Sequence, residues 1–480
     1  MNSSQVSITR ILNWLLIICL CLQVGGNCLG QTKAARIDQL VHTLALRGQF
    51  SGGVLVAERG RIIYQRGFGK ADIKHNIVFT PDTPVYLASL TKQFTAMAVM
   101  MLAEKHRLSY DDPLSKYFPE FPSYARQINI RNLLNHTSGI PDYVGLGVEH
   151  PGLTNGEVLN ALIRQDSPRF GPGEKFEYSN SNYVLLGLII EKLSGEPYRV
   201  FLRKNIFTPL GMNHTFVYDK TQPPIARRAR GYNRFGDDFD YDLLTYGEGG
   251  IYSSVADMFK WDRALYTDKL VQRSTLEEAF TRGKLNDGSL INYGFGWAIS
   301  ESGGETVYSH AGRYGGFNTY IKRFPKEQST IIFLTNHDFK NMGAVGNALI
   351  GVLYDQPYTL PKLSVAELIY QTYRRSGIRA AVRQYQALKQ RNDSAYDLSE
   401  SELNELGYQL MAKNKMPEAL AILKLNAEAF PTSGNVYDGL GEAYMKSGNR
   451  ELAIENYKES LKMNPGNSNA ADMLKKLGAQ

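Results

Sequence analysis

The chain has 480 residues, 43% apolar and 21% charged, and a formal net charge of +7. That length predicts two or more domains, and that composition excludes a disordered chain. The charge is modest and no dense Lys/Arg run with interleaved aromatics occurs, which excludes nucleic acid as a partner.

The first 30 residues stand apart. Arg10 is their only charged residue, and ILNWLLIICLCLQV is an apolar core of signal-peptide length, short for a membrane span. We expect residues 1–30 to be a signal peptide cleaved after Gly30, with an uncleaved anchor as the alternative. Gly26 and Asn27 do not give Cys28 the small-residue context of a lipid attachment site. Cys19, Cys21 and Cys28 are the only cysteines, and all fall in this leader. The mature chain would then have no disulfide, no cysteine nucleophile and no cysteine-based zinc site. No later segment is long and apolar enough to span a membrane, so the expected product is exported, periplasmic or secreted.

Residues 31–357 mix strand and helix signals. GGVLVAERGRIIYQRGFG (52–69) reads as a hairpin turning at Arg59-Gly60. PVYLASLTKQFTAMAVMMLAEK (84–105) reads as an amphipathic helix, with Leu90, Phe94, Met97 and Met101 on one buried face and Ser89 as a cap at its start. Further helical patterns lie near 181–194, 196–206 and 254–266. Strand signals return in ETVYSHAG, FNTYIKRFP and STIIFLTN, within 305–336. Strands at both ends with helices between predict one antiparallel sheet built from both termini of an α/β (α+β) domain.

DQPYTLPKLS (355–364) carries two prolines and reads as a linker, bounded at 358–362, which separates this region from 363–480, where turns and strand signals largely disappear. Here ELGYQLMAKNKMPEALAILKLNAEAFP (405–431) aligns with GLGEAYMKSGNRELAIENYKESLKMNP (439–465) at an offset of 34 residues. The offset matches Gly407 to Gly441, Ala419 to Ala453 and Pro431 to Pro465. This period resembles the tetratricopeptide repeat, which implies an all-α domain and a protein partner. SGIRAAVRQYQALKQ (376–390) reads as a degenerate earlier unit.

Three short motifs carry chemistry. Ser89-x-x-Lys92 is the only Ser-x-x-Lys of the chain, and Tyr178-Ser179-Asn180 the only Tyr-x-Asn. His310-Ala311-Gly312 ends a predicted strand; the second His-x-Gly, at His150, lies in loop-like sequence. A lysine three residues after a serine shares its helical face and can reach its hydroxyl. A neutral hydroxyl attacks a carbonyl poorly, so a base must take its proton. His42, His75, His106, His136, His150, His214 and His337 are scattered without ligand spacing, and no phosphate-binding Gly-rich loop occurs, so neither metal nor cofactor is expected.

The order Ser-x-x-Lys, Tyr-x-Asn, His-x-Gly resembles the serine hydrolases of the class C β-lactamase and D-alanyl-D-alanine carboxypeptidase group, which also holds esterases and D-amino-acid peptidases. LLNHTSGIPDY (133–143), IFTPLGMNHT (206–215), GEGGIYSSVADMFKWDRAL (247–265) and YGFGWAI (293–299) are similar too, and the resemblance spans about residues 35–355. It implies a β-lactamase/penicillin-binding-protein sheet with flanking helices and an acyl-enzyme on Ser89. It implies that Lys92 is either deprotonated or a cation lowering the pKa of Tyr178, the candidate base and proton donor. Asn180 would bond Lys92 and the substrate amide. The backbone N–H groups of Ser89 and Arg313 would form the oxyanion hole, and Gly312 and Arg313 would meet substrate, the Arg313 side chain pairing with a substrate carboxylate. His310 departs from the lysine of most class C β-lactamases and is similar to the histidine of some carboxypeptidases and esterases. The substrate implied is a D-amino-acid-containing peptide or amide, or a small ester. A class C-like β-lactamase, or a partner-binding repeat protein with a vestigial hydrolase domain, are the alternatives.

Overall fold

A computed structural model of the chain describes residues 31–219, 227–339 and 341–479. The leader and its three cysteines lie outside the described residues. A six-stranded antiparallel sheet is the frame. Its strands are β1 (Gly52–Glu58), β2 (Arg61–Phe68), β3 (Ala298–Ser302), β4 (Glu305–Tyr314), β5 (Phe317–Phe324) and β6 (Ser329–Thr335), in the order β2-β1-β6-β5-β4-β3. The predicted hairpin turns at Arg59-Gly60, and β1 then pairs with β6, joining the two ends of the domain.

Both faces of this sheet are covered, which is why its central strands read as continuous apolar runs. Val54, Val56, Ile331 and Phe333 point to helices α1 (Lys33–Leu46) and, near the domain's other end, Met342–Leu353. Leu55, Ala57, Ile332 and Leu334 alternate to the opposite face and the larger core. That core holds α2 (Thr91–Glu104), α3 (Asn180–Ser194) and α4 (Val255–Ala264).

Helix α2 differs from the amphipathic reading. Every residue from Thr91 to Leu102 is buried, because the helix runs through the middle of the domain. Its polar residues survive there by finding partners: Gln93 accepts from the Trp261 indole at 2.9 Å, and Thr95 donates to the Gly247 carbonyl at 2.6 Å. Ser89 is not the helix cap. It sits in a 3-10 turn, Ala88–Leu90, and Leu90 precedes the α-helix without a side-chain cap. The reason is that the Ser89 hydroxyl is turned to Lys92 instead.

The C-terminal region is helical: α5 (Val365–Ser376), α6 (Ile378–Arg391), α7 (Glu400–Ala412), α8 (Met416–Ala429), α9 (Gly434–Lys446), α10 (Arg450–Met463) and α11 (Ser468–Lys476). The repeat offset has a packing cause. A Cβ on Gly407 would fall 2.5 Å from Leu423, and one on Gly441 3.0 Å from Tyr457, so each glycine lets its helix pair close. The segment 376–390, expected as a degenerate unit, is helix α6, which follows α5 directly. Among the described residues no helix is long and apolar enough to cross a membrane.

A loop of the hydrolase-like body reaches into the repeats. Phe235 inserts into the apolar core of the repeats and packs edge-on to Tyr370, 4.9 Å between ring centres. The neighbouring Arg234, 7% exposed, meets Glu402 at 2.8 Å, Glu367 at 3.4 Å and Glu405. Glu402 is itself 1% exposed. Removing one partner of a buried ion pair leaves the other charge unsolvated, at a cost of about 3–5 kcal/mol. Arg234→Met is expected to lower the denaturant stability of the full chain by about 3 kcal/mol. An unchanged unfolding midpoint would show that water reaches these carboxylates.

Candidate active site

Ser89 is presented by a strained turn. Ala88 has φ +48°, a left-handed conformation uncommon outside glycine, and it is held there from both sides. The Leu87 carbonyl accepts from the Thr319 hydroxyl at 2.7 Å, and the Leu87 N–H donates to the Ile251 carbonyl at 2.8 Å. The serine is thereby fixed at the head of α2, with the first turn of the helix placing Lys92 beneath it.

Lys92 Nζ lies 3.0 Å from Ser89 Oγ. It donates to Asn180 Oδ1 at 2.8 Å and to the Glu248 carbonyl at 3.1 Å. Asn180 cannot turn its amide, because its Nδ2 donates to Asp142 Oδ2 at 3.0 Å. Burial pushes the Lys92 amine down from 10.5 to about 7, against the pull of Glu248 and Asp142. A neutral amine has two N–H bonds and one lone pair. With both N–H bonds spent on oxygens, the lone pair faces the serine hydroxyl.

Tyr178 lies immediately before α3, at whose first residue Asn180 stands, with the Lys92 amine 4.8 Å from its ring centre. Burial pushes its phenol above the ordinary value, and the Ser89 hydroxyl beside it opposes this without closing a hydrogen bond of good geometry. Lys92 and Tyr178 are thus driven in opposite senses: the amine toward losing its proton, the phenol toward keeping it.

His310 is 7% exposed, and both its nitrogens are engaged. Nδ1 donates to the Ala311 carbonyl at 2.7 Å, so Nε2 is the acceptor for the Tyr293 hydroxyl at 2.9 Å. Burial first, and then Lys92, pull its pKa down to about 3, so the ring is neutral. Strand β4 pairs with β3 only as far as Ser309, which leaves residues 310–314 as a free edge beside Ser89. Gly312 permits this approach: a Cβ there would fall 2.3 Å from the Leu87 carbonyl oxygen and 3.0 Å from the Ser89 nitrogen. The edge therefore runs against the backbone N–H of the serine, as an oxyanion hole shared by Ser89 and Arg313 requires. The Arg313 side chain is turned away to Asp338, 2.9 Å from its carboxylate.

Four residues that sequence reasoning passed over complete the site: His136, Asp142, Glu248 and Tyr293. His136 is not an ordinary histidine. It is fully buried with φ +60°, its ring lies 4.3 Å from that of Tyr178, and its Nδ1 accepts from the Ser179 N–H and the Asn182 amide, each at 3.2 Å. It pins the middle residue of the Tyr-x-Asn motif. All four lie inside the flanking stretches quoted above, but nothing in their spacing gives their roles. The whole constellation opens into a cleft of about 760 Å³, lined also by Tyr86, Tyr143, Glu149 and Tyr314.

Fold and cleft together define a serine hydrolase scaffold in which the nucleophile's turn faces a free strand edge. Over residues 35–355 the sequence matches the Beta-lactamase family, and the chain belongs to this family of β-lactamase-like and penicillin-binding-protein-like serine hydrolases. Residues 434–467 match the tetratricopeptide repeat. The chain is 35% identical to penicillin-binding protein 4* of Bacillus subtilis (strain 168) over 379 residues, covering 72% of this chain and 82% of that protein. Among solved structures it is similar to the octameric penicillin-binding protein homologue from Pyrococcus abyssi, with a TM-score of 0.61, 27% identity and coverage of 70% and 81%. It is also similar to the D-amino acid amidase from Ochrobactrum anthropi SV3, with a TM-score of 0.58, 26% identity and coverage of 67% and 99%.

Asp142 offers a direct test of the hydrogen-bond chain. Asp142→Ala frees the Asn180 amide to flip and present its NH2 to Lys92. Fluorophosphonate labelling of Ser89 is then expected to slow by about 10–100-fold, the size of a misplaced catalytic group. Asp142→Asn, which keeps an acceptor oxygen, should restore most of the rate.

Proposed function

We propose that the chain is an exported serine hydrolase that forms a covalent acyl-enzyme on Ser89. The observation that carries this is the Lys92 amine, 3.0 Å from Ser89 Oγ and lowered by burial to about 7. In acylation, Ser89 Oγ bonds to the substrate carbonyl carbon while its proton passes to the Lys92 lone pair. The oxyanion that develops is held by the backbone N–H groups of Ser89 and Arg313. As the tetrahedral species collapses, the bond from carbon to the leaving nitrogen or oxygen breaks. Tyr178, kept protonated by its burial, hands a proton to the leaving group and is reprotonated from Lys92. Water then attacks the acyl-enzyme by the reverse proton path and frees the acid.

His310 takes the part of a positioning residue in this reading. With one nitrogen on a carbonyl and the other on Tyr293, it orders the wall opposite Tyr178 and moves no proton. The substrate class that fits is a peptide or amide containing a D-amino acid, or a small ester. The similarity to a D-amino acid amidase supports it. A β-lactamase role is the weaker reading, because a neutral His310 stands where most class C β-lactamases have a lysine. The leader composition supports export, and the repeats support a protein partner.

Intact-mass measurement after exposure to a fluorophosphonate, and separately to benzylpenicillin, tests the nucleophile. A single adduct lost in Ser89→Ala is expected; wild-type protein without an adduct would sink the hydrolase reading. A lasting penicillin adduct favours a peptidase, and turnover of penicillin a β-lactamase. The labelling rate is also expected to depend on pH. Protonated Lys92 has no lone pair, so the rate should fall as pH drops below about 7 and level off above it. A rate flat from pH 5 to 9 would remove Lys92 as the base.

A further inference from the structure

The free edge of β4 ends in the turn to β5, Gly315-Gly316, two residues past Arg313. A second loop, 231–239, is interlocked with that turn. The Gly316 N–H donates to the Phe239 carbonyl at 2.7 Å, and the Phe239 N–H donates to the Gly231 carbonyl at 2.8 Å. No side chain fits between them: a Cβ on Gly316 would fall 2.1 Å from the Tyr232 nitrogen, and one on Gly315 2.6 Å from the Phe239 carbonyl oxygen. The Tyr232 carbonyl accepts at 3.0 Å from the N–H of Asp338, the residue that pairs with the Arg313 side chain. Backbone packed this closely has no soft contact to absorb a displacement, so the turn follows the loop.

The far end of the loop is held by the repeats. Residues 233–237 form a closed turn of their own. The Asn233 N–H donates to the Asp237 carbonyl at 2.8 Å, and Asn233 Oδ1 accepts from the N–H groups of Phe235 and Asp237, each at 3.0 Å. Around this rigid turn, Arg234 meets Glu367 of α5 and Glu402 of α7, and Phe235 lies in the apolar core of the repeats. Asp237 accepts from Gln409 of α7 at 2.8 Å and from Lys413, just past its end, at 2.7 Å. With a donor on each carboxylate oxygen, the orientation of the turn is fixed as well as its place.

We infer that the repeats hold the oxyanion hole in register through loop 231–239, and that Asp237 is a positioning residue for the reaction at Ser89. The inference rests on the acyl-enzyme reading above and deepens it. The Arg313 N–H lies on the part of β4 that β3 leaves unpaired, so its aim depends on the turn that ends the strand. The helical region then sets the rate of acylation and is more than a place for a partner to dock.

The test uses the full chain and loosens only this grip. Gln409→Ala/Lys413→Ala truncates two residues of the repeats, neither of which lines the cleft. A fluorophosphonate puts its phosphoryl oxygen in the oxyanion hole as it labels Ser89, so its rate reads that hole. The plateau rate is expected to fall about 10-fold with the circular dichroism unchanged, inside the roughly 10²-fold that a 1 Å misplacement costs. The pH midpoint belongs to Lys92 and should not move. Asp237→Ala should give the same loss, and all three changes together no more, because each breaks the same contact. Asp237→Ala serves alone if the double variant fails to fold. An unchanged rate in folded variants, a shifted pH midpoint, or losses that multiply overturns the positioning role, while Ser89 labelling leaves the hydrolase reading standing. Absence of Ser89 labelling in the wild-type chain overturns the hydrolase reading and this inference with it.

Discussion

A primary amine sealed from water in the middle of a protein is the constraint around which this site is built. Lys92 projects from a helix buried on all sides, and the cost of keeping it charged there drives it toward the neutral form. Neutrality alone would leave its direction open. Asn180 and the Glu248 carbonyl take its two N–H bonds, and the remaining lone pair is aimed at Ser89. Asp142 in turn fixes Asn180, and His136 fixes the backbone between Asn180 and Tyr178. Each group is oriented by one that never touches the reacting atoms, which is how a site holds geometry without reorganising during the reaction.

The same economy of parts links the site to the repeats. The loop that carries Arg234 and Phe235 into the helical region also supplies Tyr241, whose ring stacks 4.0 Å from that of Tyr86 at the cleft. Arg228 and Asp240 close this loop on itself at 2.7 Å. The joint is charged and largely desolvated, so its specificity comes from Arg234 finding several carboxylates together, and its apolar part from a single phenylalanine. The segment after the hydrolase-like body is held too: Gln49 donates to the carbonyls of Pro361 and Lys362 at 3.2 and 2.8 Å.

Local sequence carried a good part of this. The β1–β2 hairpin was legible because its turn residues and β-branched runs act over a few positions. The repeat was legible because a glycine at each helix crossing and a period of 34 residues recur in the chain itself. The reach from Ser89 to Lys92 follows from one helical turn. Other readings failed where the deciding contact is remote in sequence. The apolar spacing of α2 looked one-sided because Gln93 and Thr95 are polar, yet Trp261 and Gly247 satisfy them inside the core. Ser89 looked like a cap because serine favours that place, yet its hydroxyl goes to Lys92. His136 looked scattered because its partners, Ser179 and Asn182, lie more than forty residues away.

The amino-acid sequence therefore determined the chemical inventory and its local spacing: a serine with a lysine one turn on, a tyrosine and an asparagine flanking a helix start, a histidine on a strand, and a period of helical repeats. Those follow from covalent order and from helix and strand periodicity, which are short-range properties. Protonation states and orientations were decided by the assembled fold. The lowered pKa of Lys92, the tautomer of His310 and the pairing of Arg313 with Asp338 all depend on how much water is excluded and which distant group stands opposite. Desolvation and hydrogen-bond geometry exist only between surfaces brought together from far apart in the chain, and no local pattern encodes them.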